Sequence, residues 1–230
     1  MAMLPKVVIY NSVSVDGAIK DFDVNIALHY EVASRIGADA MLGGSNTAKT
    51  GIELFMKTVP PEKEQDFSKP KSTEQEGKPL IAVVDSRGIL NGLLHIYRKS
   101  GYWRDVIIMV SRATPNDYLD YLKARDYDFI VAGNDHVDLQ AALQELRQRY
   151  GVKTVATDTG GVLAGILLDT GLVDEVQLLI SPQIVGSNSV NLFRTVTKTV
   201  KLGLIKSESV GGSHVLLCFK VLPTHKRKKI

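Results

Sequence analysis

Short runs of β-branched and aliphatic residues recur along this chain. Most stop at a glycine, serine or aspartate, after which helical spacing begins. The runs over 7–13, 38–42, 80–84, 106–110, 129–132, 154–157 and 176–180 read as strands. The stretches over 25–36, 46–57, 115–125 and 160–168 read as helices, as does one that ends near Tyr150 and Gly151 and is capped by Asp135 or Asp138. The first of these carries apolar residues at Ile26, Ala27, Tyr30, Ala33 and Ile36. Strands that are apolar throughout and alternate with helices require a parallel sheet covered on both faces, because a parallel pair needs a crossover connection. The pattern changes near the end, where 200–210 and 214–221 flank Gly211-Gly212-Ser213 as a β-hairpin. The fold class expected is therefore α/β, three-layered, with a mostly parallel central sheet ending in an antiparallel hairpin.

A chain of 230 residues with 44% apolar and 23% charged residues has the balance of a globular protein and the length of one large α/β domain, expected over 1–222. The segment 60–79, PPEKEQDFSKPKSTEQEGKP, has linker character. Its single aromatic residue, Phe67, leaves little to bury, so a mobile surface loop is expected rather than a domain boundary. The net charge is +3, partly from the terminal HKRKKI, which reads as a solvated tail over 223–230. No basic face interleaved with aromatic residues points to nucleic acid or a membrane surface. Cys218 is the only cysteine, so a reducing compartment is expected, and the N-terminus lacks the features of a signal peptide. Cytoplasmic location follows as the expectation.

Several stretches carry chemistry. Gly160-Gly161 follows a strand and opens a helix, where small residues and free N–H groups suit a diphosphate; a plain tight turn is the competing explanation. Ser86-Arg87 and Ser111-Arg112 stand at the carboxyl ends of two strands. Ligands bind at such ends in open α/β sheets, and a guanidinium with a hydroxyl suits a phosphate monoester such as the 2′-phosphate of NADP. Asn11, Ser12, Ser14 and Asp16 in NSVSVDG could line a polar pocket. The segment Gly43 to Thr50, GGSNTAKT, nearly spells a P-loop with Lys49 and Thr50 in place and Asp85 as a magnesium-holding strand end, but Ala48 replaces the second glycine. A phosphotransferase, or a non-catalytic nucleotide-binding protein, remains a rival on that basis. The histidines are scattered without metal spacing, so no metal is expected. No nucleophile elbow or standard dinucleotide-binding fingerprint occurs.

In the order NSVSVDG, ADAMLGGSNT, LIAVVDS and DTGGVLAGILLDTGLVDEVQLLISPQIVG, the chain resembles the reductase domain of riboflavin biosynthesis. That domain occurs alone in archaeal and fungal diaminopyrimidine reductases, or behind a deaminase in bacteria. The resemblance implies a dihydrofolate-reductase-like fold, NADPH as hydride donor, a homodimer, and reduction of a ribosylaminopyrimidine 5′-phosphate to its ribitylamino form. By motif, it implies that Thr47, Ser86, Gly160, Gly161, Val162 and Leu163 meet the cofactor; Gly51 is expected beside them, as are Arg87, Ser111 and Arg112 by their strand-end chemistry. Asn11, Ser14 and Thr159 would border the substrate, with Asp16 orienting the transferred proton directly or through water. The chain departs from the family at Ala18, where lysine is frequent. It departs again at Thr159, where an acidic residue is common and Asp158 stands one place earlier. Gly51, Ile52 and Glu53 replace a region that often carries Asp and Arg. These departures fall on the substrate side and leave open another pterin-like or small carbonyl substrate.

Overall fold

The structure, a computed structural model, describes residues 3–70, 76–187 and 189–223. The basic tail lies almost entirely outside them. The chain forms two compact units: one takes Ala38–Val155 with the residues up to Pro5, the other Lys6–Gly37 with the residues from Ala156 on. Each draws on two stretches of chain, so no single linker delimits either.

In the first unit, β2 (Ala40–Gly44), β3 (Leu80–Val84), β4 (Val106–Val110) and β5 (Asp128–Val131) pair in parallel. They stand in the order β5-β4-β3-β2, with β6 (Thr154–Thr157) next to β2. Ile81 and Val83 on β3, and Val106, Ile108 and Val110 on β4, project alternate side chains into a core with Leu94, Tyr118, Tyr121 and Leu122. This is the period-two geometry of strands packed under helices. The covering helices are α2 (Ser45–Phe55), α3 (Leu94–Lys99), α4 (Asn116–Ala124) and α5 (Leu139–Tyr150). Asp138 rather than Asp135 caps α5, accepting from Ala141 N at 3.0 Å. Helix α3 has six residues, too few to show a helical period, and so escapes sequence reading.

Of the segment 60–79, residues 71–75 lie outside the described residues, and the part before them buries more than its composition implies. It contains a short 3-10 helix, Glu64–Phe67, whose Asp66 is 3% exposed and meets Lys99 at 2.9 Å. Glu62 accepts from Tyr121 Oη at 2.8 Å and from Arg125 Nε at 2.6 Å. Arg98 is buried, donates to the carbonyls of Arg125 (2.8 Å) and Asp126 (2.9 Å) and to Asp105 (3.0 Å), and lies 3.7 Å from the centroid of the Tyr127 ring. Charge pairs therefore do the packing here that apolar side chains do elsewhere. Burial pushes the Asp105 carboxyl up even with Arg98 beside it.

In the second unit, β1 (Lys6–Ser14) pairs in parallel with β7 (Glu175–Ser181), and β9 (His214–Val221) runs antiparallel between β7 and β8 (Leu202–Val210). The antiparallel ending agrees with the sequence reading. Helix α1 (Ile26–Ser34), capped by the Asn25 side chain, buries Leu28 and Val32 against Tyr10, Leu179 and Leu216. Ile26 and Tyr30, apolar in sequence, are exposed. Helix α6 (Gly161–Asp169) is buried along most of its length. No helix among the described residues is long and apolar enough to cross a membrane.

Candidate functional site

In the second unit, β1 is apolar from Val7 to Tyr10 and then turns polar while staying buried: Asn11 and Ser12 are 8% exposed and Ser14 1%. Polar groups in such places need partners. Ser14 finds its partners locally. Its hydroxyl donates to Asp16 at 2.5 Å and accepts from Ala18 N at 2.9 Å. Asp16 also accepts from Val185 N (3.2 Å) and Gly186 N (2.8 Å). These donors, the Ser14 hydroxyl first, hold the Asp16 carboxyl down to about 2. It is an ionised acceptor at neutral pH, not a proton source.

Ser12 Oγ lies 2.9 Å from Nδ1 of His29 on α1. The His29 ring sits 4.8 Å from the Tyr10 ring and edge-on to Tyr30, and its Nε2 is 3.9 Å from Asp158 Oδ2. Asn11 Nδ2 has no hydrogen-bond partner among the described residues, which makes it a buried donor suited to a ligand acceptor. Thr159 is buried beside the turn that leads into α6.

That turn treats its two glycines differently. Gly160 is the N-cap of α6 and brings no side-chain oxygen to the helix's first N–H groups; a Cβ there would meet nothing within 4 Å. Gly161 is pressed against the Leu192 backbone, and Thr195 donates to its carbonyl at 2.5 Å. Val162 is exposed and Leu163 buried. Of the four sequence-predicted residues here, Gly160 and Val162 face outward at an anion-favouring helix terminus, whereas Gly161 and Leu163 serve packing.

In the first unit, Ser86 and Arg87 line an open cleft of about 450 Å³ with Ala113, Pro115, Asp135 and His136. The cleft lies at the carboxyl ends of β3, β4 and β5. Gly133 (φ +84°) makes the sharp turn that brings Asp135 and His136 there; a Cβ on it would strike the His136 carbonyl. The companion pair sits differently. Ser111 is wholly buried, its hydroxyl reaching the Asp135 carbonyl at 3.3 Å, and Arg112 reaches Asn134 at 3.4 Å; neither lines the cleft.

The P-loop reading fails on geometry. Gly43 and Gly44 complete β2, and α2 starts at Ser45, so Lys49 and Thr50 lie inside a helix with no loop left to wrap a phosphate. Lys49 faces Glu53 at 3.9 Å. Asp85 is buried and spends both oxygens on Ile89 N (3.0 Å) and Leu90 N (2.9 Å). Thr47 is exposed in the first turn of α2, and Gly51, further along it, faces the Tyr97 hydroxyl. No group of three or more metal-ligating side chains occurs among the described residues.

Sequence reasoning missed His29, Asp158, Asp135 and His136 as site residues. The histidines carried no spacing signal, and only the place of Asp158 beside the glycine pair hinted at a role.

The chain matches the family described as the RibD C-terminal domain over residues 5–216. It is 27% identical over 188 residues to the 2,5-diamino-6-ribosylamino-4(3H)-pyrimidinone 5′-phosphate reductase of Archaeoglobus fulgidus, spanning 80% of this chain and 83% of that one. It is 36% identical over 108 residues to the reductase of the same name from Methanothermobacter thermautotrophicus, spanning 47% and 48% of the two chains. Among solved structures, it resembles a pyrimidine reductase-like protein of Corynebacterium diphtheriae (TM-score 0.71, 20% identity, 96% and 93% of the two chains). It also resembles the riboflavin biosynthesis reductase of Saccharomyces cerevisiae (TM-score 0.66, 16% identity, 95% and 90%). These likenesses bear out the dihydrofolate-reductase-like α/β fold. The chain belongs to the RibD C-terminal domain family of reductases.

Proposed function

We propose that the chain is an NADPH-dependent reductase of riboflavin biosynthesis. It converts 2,5-diamino-6-ribosylamino-4(3H)-pyrimidinone 5′-phosphate, or the related aminouracil phosphate, to the ribitylamino form. The observation that carries this reading is Gly160, an open N-cap that leaves the first amides of α6 to an anion. In the second unit, Gly160 and Val162 suit the cofactor's diphosphate. In the first unit, Ser86 and Arg87, with His136, have the chemistry for a phosphate monoester such as a 2′-phosphate, and Asp135 that for a sugar hydroxyl. Asn11 donates to the substrate, and Asp16 accepts from it. NADPH, when bound, supplies the hydride; the protein supplies orientation, worth roughly 7–11 kcal/mol of barrier in well-placed reactions.

The reading extends to a homodimer. Strand β8 exposes Leu202, Leu204 and Ile205, apolar surface on both sides of an edge strand that a second copy would cover. Location in the cytoplasm agrees with a single, buried, unpaired Cys218.

Oxidation of NADPH on adding the ribosylaminopyrimidine phosphate tests the function, with the ribitylamino product identified by mass. Thermal shifts with NADPH, NADH and ATP–magnesium test the cofactor, since a ligand at 100 times its Kd adds about 2.7 kcal/mol. Stabilisation by ATP–magnesium alone would sink the reading. A second reading, the same chemistry on another pterin-like or small carbonyl compound, is favoured by Ala18 and Ile52. Both are buried, at or beside positions where the family frequently presents charged groups to substrate. NADPH bound without turnover of the pyrimidinone phosphate would select it.

A further inference from the structure

We infer that Ser12, His29 and Asp158 form a proton relay that supplies the proton consumed in the reduction. The inference rests on the reductase reading above.

Adding a hydride to a C=N bond leaves half the reaction undone. The substrate carbon gains the hydride's electron pair, the π pair of the C=N bond moves onto nitrogen, and nitrogen must take a proton. The dihydronicotinamide is oxidised as the imine is reduced to an amine. Asp16 cannot provide that proton, being ionised and held by three donors. His29 can. Its ring nitrogen Nδ1 sits 2.9 Å from Ser12 Oγ, on the same strand as Asn11 and Ser14 and within the polar stretch of β1. The Ser12 hydroxyl passes its proton to the substrate nitrogen and is reprotonated from Nδ1 of the His29 imidazolium, which is left as the neutral ring carrying its proton on Nε2.

The remaining contacts fix the ring for that task. Tyr10 lies against it, and the Tyr10 hydroxyl donates to the His29 carbonyl at 2.8 Å. Tyr30 meets it edge-on. Asp158 stands 3.9 Å from Nε2, a separation for attraction or a bridging water rather than a direct hydrogen bond. It steadies the imidazolium and, once Nδ1 has given up its proton to Ser12, holds the remaining proton on Nε2. Arg35, the nearby cation, is engaged by Glu31 and Glu208, and burial keeps the Tyr10 phenol protonated. A serine–histidine pair this deep contributes little that apolar residues would not. Asp158 directly precedes the Thr159-Gly160 turn, so the relay borders the proposed cofactor turn.

The test uses the full chain. His29→Gln should lower kcat at least tenfold with KM for NADPH within twofold. It should also abolish the loss of kcat on the alkaline side, where an acid must remain protonated. Ser12→Ala should lower kcat likewise, and Asp158→Asn less. In the ligand-free chain, 15N spectra of the His29 ring in its neutral form should show the Nε2–H tautomer, a preference that Asp158→Leu erodes. A parent chain with no turnover overturns the reductase reading. A parent chain that turns over, while His29→Gln keeps both its kcat and its alkaline limb, overturns the relay alone. So does a ring tautomer indifferent to Asp158.

Discussion

Gly161 approaches Leu192 so closely that a Cβ on it would lie 2.7 Å from the Leu192 carbonyl oxygen. Its neighbour Gly160 faces open space, and the contrast separates two roles that a paired-glycine motif runs together. Gly161→Ala should destabilise the fold by about 1–3 kcal/mol through overpacking. Gly160→Ala should leave stability within about 0.5 kcal/mol and weaken NADPH about tenfold or more by crowding the anion. Urea unfolding and cofactor titration of the two variants measure this. Unchanged NADPH affinity in Gly160→Ala would remove the turn from the cofactor site.

Arg87 lies in the cleft with Ser86 and His136, whereas Arg112 does not. Arg87→Ala should reduce the preference for NADPH over NADH about tenfold by removing a bidentate cation. Arg112→Ala should leave that preference unchanged. Titrating both dinucleotides into both variants decides it, and equal effects would argue against the cleft.

Asp16 ties the 185–186 backbone to the turn after β1. Its folded value, about 2, lies below the ordinary 3.8. The stabilisation from its ionised form is therefore complete above the ordinary value and is lost as pH falls toward and through about 2. Protection of the Val185 and Gly186 amides from hydrogen exchange should decline across that window in the parent chain. In Asp16→Asn it should be low at every pH. The same substitution should lower turnover at least tenfold with little change in NADPH affinity.

Arg98 is buried among the carbonyls of Arg125 and Asp126 and the Asp105 carboxylate. Arg98→Lys should destabilise the protein by about 3–5 kcal/mol, since an ammonium cannot span partners arranged around a planar fork. Chemical denaturation of the variant reads this out. A loss below about 1 kcal/mol would mean the network is less coupled than its geometry shows.

Leu204 and Ile205 stand at the irregular step in β8, where the register shifts against β9. Leu204→Arg should convert the proposed dimer to a monomer in sedimentation while leaving the far-UV spectrum unchanged, because the side chain is already exposed in the single chain. A parent protein that sediments as a monomer would overturn the dimer.

The strands over 80–84, 106–110 and 154–157 were legible to the residue, because a short β-branched run bounded by turn residues has few other uses. The glycine turn before α6 and the closing hairpin were equally plain. Helix α3 was invisible because six residues make fewer than two turns, too few for an apolar spacing to recur. The outward faces of Ile26 and Tyr30 were hidden because hydropathy alone does not say which side of a helix meets the sheet. The candidate site divides in the same way. Motif order marked Gly160, Ser86 and Arg87 as residues that meet phosphate. Only tertiary structure separated Gly160 from Gly161, withdrew Ser111 into the core and set His29 against Ser12 and Asp158. Local propensity is written in neighbouring residues, whereas burial and hydrogen bonding depend on groups brought together from distant parts of the chain.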